Sequence, residues 1–201
     1  MISVNQITGL ILAGGRAQRM GGIDKGLIPF HGNALIESAI NSLKTQVGYI
    51  LINANRNLTQ YSSYGYPVLV DANSDFCGPL AGFSAGLKAC KTPYLLTAPC
   101  DSPLMPPDLG AKLAAEMESG NYQLVYASTK EANDKIWKQP VFCLMRSDIC
   151  DSLDAFLGKG EFKIDYWFKD LRTSTVIFEN AQAFVNVNTP AELKQLEDLT
   201  K

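Results

Sequence analysis

Short apolar runs alternate along this chain with segments whose apolar residues recur at helical spacing, and this alternation constrains the fold most strongly. Strands are predicted over residues 7–12, 49–52, 68–70 and 94–98. Helices are predicted over residues 35–47, 80–90 and 109–117. This order is typical of a parallel sheet whose strands are joined by crossover helices. We therefore predict an α/β fold with a single doubly wound, mainly parallel sheet and flanking helices.

The pattern is weaker after residue 120. Strands are predicted over residues 124–127, 141–145, 176–178 and 184–187, and a short helix over residues 164–168. A terminal helix is predicted after Thr189-Pro190-Ala191-Glu192, which is a capping box with proline at the first helical position. Because no linker, repeat or low-complexity segment divides the 201 residues, we expect one domain in which residues 121–201 extend over the first 120.

The charge balance argues against a nucleic-acid partner, since 18 Lys and Arg residues oppose 20 Asp and Glu residues and no basic stripe is present. The first six residues contain no basic leader. The apolar runs are also far shorter than the ~20 residues that cross a bilayer. We therefore expect a cytoplasmic protein that binds neither nucleic acid nor membrane.

Cysteine and histidine usage excludes several kinds of site. The five cysteines show no C-x-x-C spacing, which argues against a zinc finger and against a disulfide scaffold. The one histidine, His31, lies in a predicted turn with no nucleophile motif beside it. A Ser-His-Asp or Cys-His nucleophile is therefore not expected.

Turns rich in glycine or polar residues follow four of the predicted strands. They are Ala13-Gly14-Gly15, Asn53, Asp71 and Asp101. In an open α/β sheet the ligand crevice lies at the carboxyl ends of the strands. We therefore expect these residues to meet at one site although they are spread over about ninety positions.

The loop over residues 12–26 holds five glycines and three cationic residues directly after the first strand. Glycine lets backbone N–H groups approach an anion closely, while Arg19 and Lys25 add full positive charge. This pattern favours a polyphosphate ligand; a flexible loop with solvated cations is the alternative. The spacing matches neither G-x-x-x-x-G-K-[ST] nor G-x-G-x-x-G, so it predicts neither a P-loop nor a dinucleotide fingerprint.

Asp101 lies between Pro99 and Pro103, which stiffen the backbone around its carboxylate. Magnesium is usually held by one or two carboxylates together with substrate phosphates. Asp101 is therefore the candidate Mg²⁺ ligand, and the alternative is a cap on a helix near Pro106 or a local turn.

The remaining candidates concern the nucleoside. Asn53 and Asp71 are candidates for nucleotide recognition, because a carboxylate can accept the paired N–H donors on the Watson–Crick edge of guanine, which adenine lacks. A preference for guanine is thus a hypothesis. Gly78 and Gly82, at the start of a predicted helix, either bring the backbone close to the base or ribose or allow tight packing.

Five motifs follow one another in a specific order. They are L-A-G-G at 12–15, R-M-G-G-I-D-K-G-L at 19–27, G-P-L-A-G at 78–82, P-C-D-S-P at 99–103 and F-V-N-V-N-T-P at 184–190. Over nearly the whole chain, this set resembles the signature of the molybdenum cofactor guanylyltransferases of the MobA type. The L-A-G-G-x-x-x-R-M-G portion identifies only the nucleotidyltransferase superfamily, whereas the doubled glycine before I-D-K-G and the N-V-N-T-P segment are narrower.

The resemblance implies a Rossmann-like nucleotidyltransferase fold and a role for each matching residue. Residues lining the GTP site would be Leu12, Ala13 and Gly14, next to Gly15. Lys25 would bind the phosphates, and Asp101 would hold both nucleotide and magnesium. The nucleoside would contact Asn53 and Asp71.

The acceptor side is implied by the same resemblance. Asn186 and Asn188 fall where the family is thought to receive the pterin, and a turn leading into the Thr189 cap is the alternative for them. Residues 1–120 would be the nucleotide-binding half and residues 121–201 the acceptor-binding extension. One departure from the family is Gln139, which precedes Pro140 where the family often has histidine.

The implied reaction joins GMP from GTP to the phosphate of molybdopterin and releases pyrophosphate. Magnesium on Asp101, with Lys25 and Arg19, would offset the negative charge of the leaving group. Other proteins of molybdenum cofactor biosynthesis are the expected partners. The alternatives are a related nucleotidyltransferase that uses CTP or a sugar phosphate, and a nucleotide-binding regulator without turnover.

Overall fold

The computed structural model describes residues 1–15, 24–72, 78–131 and 134–200. The strands in this part of the chain are β1 (Ile7–Leu12), β2 (Pro29–Phe30), β3 (Asn33–Ala34), β4 (Tyr49–Asn53), β5 (Val68–Leu69), β6 (Tyr94–Pro99), β7 (Leu124–Lys130), β8 (Ile136–Arg146) and β9 (Thr173–Phe178). The helices are α1 (Leu35–Leu43), α2 (Leu58–Ser62), α3 (Pro79–Ala89), α4 (Leu109–Ser119), α5 (Cys150–Leu157), α6 (Ile164–Phe168) and α7 (Pro190–Leu199). Short 3₁₀ helices cover Val4–Gln6, Lys25–Leu27, Ser147–Ile149 and Ala181–Phe184.

Seven of the described strands form the main sheet, in the order β5-β4-β1-β6-β8-β7-β9. The pairs β5–β4, β4–β1, β1–β6 and β7–β9 are parallel. Strand β8 runs antiparallel to both β6 and β7. The chain therefore moves outward from β1 to β4 and β5 and then returns to β6 on the other side of β1. This confirms the predicted mainly parallel sheet and creates the reversal of strand order at which ligands bind in such folds.

Helices cover both faces of the sheet, as predicted for a doubly wound fold. Successive residues of β1 point to opposite faces. Ile11 belongs to the core that contains the apolar residues of α1 and α4, whereas Leu10 belongs to the core that contains those of α3, α5 and α6. Trp167 of α6 is fully buried in the second core. Burial on both faces holds β1 and the turn that follows it in a fixed place.

One predicted strand is wrong. Residues 184–187 form no strand, because the 3₁₀ helix Ala181–Phe184 ends there and the chain continues in an extended loop. Phe184 packs edge-on against Phe142 and Phe178, and the N–H of Val187 donates to the carbonyl of Asp101 at 2.9 Å. The apolar character of this segment therefore reflects packing of a loop onto the core rather than pairing in a sheet.

Other elements were absent from the sequence prediction. The hairpin of β2 and β3 and the helices α2 and α5 were not predicted, and β8 begins at Ile136 rather than at residue 141. None of the helices in the described part of the chain has the length and apolar composition that crossing a membrane requires.

The predicted capping box at the start of α7 is present. The Thr189 hydroxyl accepts from the N–H of Glu192 at 3.2 Å, and the Glu192 carboxylate accepts from the N–H groups of Thr189 and Asn188 at 3.1 and 2.7 Å. The cap thus also orders the backbone of Asn188, which precedes it.

Thr189→Ala is expected to lower the free energy of unfolding by about 1 kcal/mol, because the N–H of Glu192 loses its acceptor. Urea denaturation followed by circular dichroism measures this change. Thr189→Ser should retain most of the stability, and Thr45→Ala, which alters an exposed threonine outside any N-cap, serves as the control. A loss no larger in Thr189→Ala than in Thr45→Ala would contradict the capping role.

Candidate active site

A cleft of about 460 Å³ opens where β1, β4 and β6 end. Ten of the residues singled out in the sequence line it. They are Leu12, Ala13, Gly14, Gly15, Lys25, Asn53, Gly78, Asp101, Asn186 and Asn188. The cleft therefore collects residues from both halves of the chain.

The cleft contains an ion pair between Lys25 and Asp101. The Lys25 ammonium lies 3.1 Å from Oδ2 of Asp101, and the two side chains are 23% and 14% exposed. The same ammonium donates to the side-chain oxygen of Asn188 at 2.5 Å. A lysine from the glycine-rich segment, an aspartate after β6 and an asparagine before α7 thus meet at one nitrogen atom.

The turn after β1 continues the hydrogen-bond ladders of the sheet into the cleft. The N–H of Ala13 donates to the carbonyl of Asn53 at 2.8 Å, and the N–H of Cys100 donates to the carbonyl of Leu12 at 3.0 Å. A Cβ atom added at Gly15 would lie within 4 Å of no described residue other than its chain neighbours. Gly78 adopts a φ of +63° just before α3, a conformation that favours glycine.

Two of the predicted residues, Gly82 and the partly exposed Asp71, are not among the described residues that line the cleft. A Cβ atom on Gly82 would lie 2.5 Å from Leu12 Cδ2 and 2.6 Å from Asn53 Oδ1. Gly82 therefore allows α3 to pack tightly against the strands, which is one of the two roles that the sequence left open for it. Asp71 contacts the cleft through Asn53, whose amide nitrogen donates to Asp71 Oδ1 at 2.8 Å.

The polar segment Asn53-Ala54-Asn55-Arg56-Asn57 holds several parts of the site together, and its last three residues were not predicted. The Asn55 amide donates to Asp71 Oδ2 at 2.7 Å, and Arg56 donates to the carbonyl of Gly15 at 3.2 Å. The Asn57 amide donates to Asp24 Oδ2 at 3.2 Å. The sequence signal that could have identified these three residues is a run of polar residues directly after a buried strand.

Asp24, which also lines the cleft, was not predicted. It is 5% exposed, and its carboxylate accepts from the Tyr61 hydroxyl at 2.6 Å as well as from Asn57. Burial raises the pKa of the Tyr61 phenol far above its ordinary value, and neighbouring Cys100 and Asp24 raise it further. Tyr61 therefore stays protonated and donates to Asp24, which anchors the segment that carries Lys25.

The acceptor-side asparagines are tied to the loop after β6. The Ser102 hydroxyl donates to the side-chain oxygen of Asn186 at 2.5 Å, while Asn188 contacts Lys25 as described. The Val187 N–H, between them, bonds to the Asp101 carbonyl. The turn before α7 is thus positioned by the residues that flank Asp101.

Three further residues that the sequence singled out are His31, Gln139 and Arg19. His31 lies in the β2–β3 turn and contacts Thr200 through its ring at 2.7 Å, so it joins the hairpin to α7 and does not line the cleft. The Gln139 amide contacts the Thr129 hydroxyl at 3.3 Å across β8 and β7. Arg19 lies outside the described residues.

Cys100 is buried directly beside Asp101. Burial raises the pKa of its thiol well above the ordinary value, and the negative charges of Asp101 and Asp24 raise it further. The thiol therefore stays neutral, which makes it a poor nucleophile.

The metal ligands that the protein offers suit a magnesium ion that is also bound by the substrate, rather than one held by the protein alone. Among the residues that the structure describes, no three His, Cys, Asp or Glu side chains group closely enough to hold a metal ion. Asp101 offers one carboxylate, of which Oδ2 accepts from Lys25 and Oδ1 accepts no hydrogen bond from a described residue. One free carboxylate oxygen beside a polyphosphate site fits the way Mg²⁺ is bound in phosphoryl-transfer enzymes.

Comparison with known proteins assigns the family. Residues 9–173 match the MobA-like NTP transferase domain. A molybdenum cofactor guanylyltransferase of Polynucleobacter asymbioticus is 72% identical over 197 residues, which cover 98% of each chain. The chain belongs to the molybdenum cofactor guanylyltransferase family.

Further relatives agree with this family assignment. A molybdenum cofactor guanylyltransferase of Ralstonia nicotianae is 50% identical and aligns over 98% of this chain and 99% of its own. The crystal structure of molybdopterin-guanine dinucleotide biosynthesis protein A from Archaeoglobus fulgidus has a TM-score of 0.77 at 20% identity, covering 96% of this chain and 98% of that one. At 20% identity this structural match shows that the two proteins have the same fold.

Tyr61→Phe is expected to lower the free energy of unfolding by about 1–3 kcal/mol, because the buried Asp24 carboxylate loses one of the two donors that the described residues supply. It should also raise the KM for GTP, since the segment carrying Lys25 loses an anchor. Denaturation and steady-state kinetics measure the two effects. Tyr64→Phe is the matched control, because the Tyr64 hydroxyl makes no hydrogen bond with a described residue. Parent-like stability in both variants would refute the anchoring role.

Proposed function

We propose that this chain transfers GMP from GTP to the phosphate of molybdopterin, forming molybdopterin guanine dinucleotide and pyrophosphate. The observation that carries the proposal is the Lys25–Asp101 pair, 3.1 Å apart in the cleft at the strand ends. A cation and a carboxylate together meet the needs of a Mg²⁺–nucleoside triphosphate, which requires countercharge and a metal anchor. The 72% identity to a molybdenum cofactor guanylyltransferase supports GTP and molybdopterin as the substrates.

The triphosphate is assigned to the turn at Gly14 and Gly15. Gly14 and Gly15 line the cleft together with Lys25, and no described residue beyond its chain neighbours crowds the Cβ position of Gly15, which supports an approach of phosphate oxygens to this backbone. The ammonium of Lys25 has three N–H donors, of which Asp101 and Asn188 accept two. The third has no partner among the described residues and is proposed to bind a phosphate oxygen, and Arg19 is proposed to add charge from the same loop.

Asp101 is the proposed metal ligand through its free oxygen. Bound Mg²⁺ would neutralise charge on the phosphate oxygens of the nucleotide. Lys25 holds the other carboxylate oxygen, so Asp101 is oriented before the nucleotide arrives. This pre-orientation keeps the carboxylate from having to reorganise during the reaction.

In the proposed reaction, an oxygen of the acceptor phosphate attacks the α-phosphorus of GTP in line. The new P–O bond forms as the bond from the α-phosphorus to its bridging oxygen breaks, and pyrophosphate leaves with the electron pair. Lys25 offsets the charge that develops on the leaving group. Because the acceptor phosphate is already anionic, the step needs no general base, and positioning with electrostatics supplies the catalysis.

The acceptor is assigned to the side of the cleft formed by Asn186 and Asn188. This division makes residues 1–120 the nucleotide-binding half and residues 121–201 the acceptor-binding extension of one domain. It is supported by the contacts of the two asparagines with Ser102 and Lys25, which bring the acceptor side against the phosphate side. We also infer that another protein of molybdenum cofactor biosynthesis delivers the pterin.

Asp101→Ala is expected to reduce pyrophosphate release by about 100-fold or more, because the metal anchor is lost and Lys25 loses its partner. The assay contains Mg²⁺, GTP and molybdopterin, and circular dichroism verifies that the variant is folded. Asp108→Ala is the matched control, since it removes an exposed aspartate paired with Lys112 at 2.8 Å. Full turnover in Asp101→Ala would dismiss the metal role.

Asp71→Asn is expected to weaken GTP relative to CTP and ATP, because an amide cannot accept both N–H donors of the guanine edge. Competition among the four ribonucleotides, with KM measured for each, tests this preference. An equal loss for GTP, CTP and ATP would remove Asp71 from base selection.

A further inference from the structure

The carboxylate of Asp71 is held by two amides, one on each oxygen. Asn53 donates to Oδ1 at 2.8 Å, and Asn55 donates to Oδ2 at 2.7 Å. The side-chain oxygen of Asn55 also accepts from the backbone N–H of Asp71 at 2.9 Å. Asn55 is therefore both donor and acceptor to the same residue, which fixes the rotation of the Asp71 side chain.

The two amides occupy only part of the hydrogen-bonding capacity of the Asp71 carboxylate. A carboxylate has about four lone-pair positions, and the two amides use one on each oxygen. Both donors are neutral amides, so neither places a countercharge beside the carboxylate. No other described residue donates to these two oxygens, so each keeps one lone-pair position, and the carboxylate can accept two parallel N–H donors, as N1–H and the 2-amino group of guanine present them. Hydrogen bonds to a charged acceptor are about twice as strong as neutral ones.

Asn55 is itself fixed on more than one side. The adjacent N–H of Ala54 donates to the carbonyl of Leu69 at 2.9 Å, which continues the pairing of β4 with β5. A Cβ atom on Gly14 would lie 3.0 Å from Asn55 Nδ2, so the amide packs closely against the turn of the cleft. Asn55 thus lies between that turn and Asp71.

We propose that Asn55 is a positioning residue for base selection, which holds the Asp71 carboxylate in the orientation that accepts both donors of guanine. The inference rests on the proposed function, because it requires Asp71 to face the base. A purely structural role, in which Asn55 only joins the ends of β4 and β5, would affect all nucleotides alike. The two roles therefore differ in their effect on nucleotide discrimination.

The experiment compares GTP, inosine triphosphate and ATP as GTP-site substrates, with molybdopterin and Mg²⁺, in the full-length protein. Inosine triphosphate keeps N1–H but lacks the 2-amino group. In Asn55→Ala, the KM for GTP should rise by about 10-fold and the KM for inosine triphosphate by less, so that the preference for GTP falls while kcat stays within about 2-fold. Pyrophosphate release provides the readout.

Asn55→Asp removes the donor to Asp71 Oδ2. It keeps the shape of the side chain and the acceptor for the Asp71 N–H, but it replaces the donor to Oδ2 with a like charge. The preference for GTP over inosine triphosphate should fall at least as far as in Asn55→Ala. Asn55→Ser provides a second neutral variant if the alanine form does not fold. Asn41→Ala, which removes an exposed asparagine bonded to Lys44 at 2.7 Å, should keep the parent preference.

Equal KM increases for all three nucleotides, or an unchanged preference for GTP in folded Asn55 variants, would overturn the inference. Its failure is distinguishable from that of the proposed function. Loss of guanine preference in Asp71→Asn, with the preference kept in Asn55→Ala, rejects only the role of Asn55. Absence of GTP-dependent pyrophosphate release in the parent protein rejects the proposed function itself.

Discussion

The parallel ladder that joins β4, β1 and β6 is the constraint on which the cleft depends. It brings the carboxyl ends of three strands to one edge, and two further bonds, Ala13 N–H to Asn53 O and Cys100 N–H to Leu12 O, extend it into the turns. Because β1 is buried on both faces, this edge cannot shift relative to the helices. The residues that follow these strands therefore reach the cleft on a rigid support.

The charged groups around the cleft are held in ways that suit their proposed tasks. Asp24 and Asp71 accept from neutral hydroxyl or amide donors, so their charges are not cancelled by a neighbouring cation at those bonds. Asp101, in contrast, shares Lys25 with Asn188. The Lys25 ammonium thus lies where phosphates are expected, whereas Asp71, which contacts the cleft wall through Asn53, is the proposed partner of the base. This separation allows one cleft to distinguish the two ends of a nucleotide.

Lys25 also joins the two sides of the proposed reaction. Its ammonium contacts Asp101 on the proposed nucleotide side and Asn188 on the proposed acceptor side. The turn before α7 is further fixed by the capping box and by the contacts of Asn186 and Val187 with the loop after β6. Transfer between two anionic substrates requires their phosphates to be brought close against mutual repulsion, and a shared cation at their boundary lowers that repulsion.

Local sequence patterns were sufficient to predict much of the fold of this protein. The bounds of β1, the glycine-rich turn, the cap at Thr189 and the parallel order of the first four sheet strands follow from periodicity and from turn chemistry, which are set by residues close in sequence. The family motifs also pointed to the strand ends. Long-range contacts decided the rest: Asn55 and Asp24 gained their importance only from partners 16 and 37 residues away. Residues 184–187 look like a strand because burial, in a loop as in a sheet, selects apolar side chains. The sequence by itself thus determined the fold class and the chemical character of the cleft, whereas only the tertiary structure decided which polar groups meet, since hydrogen-bond partners depend on distances that no local pattern encodes.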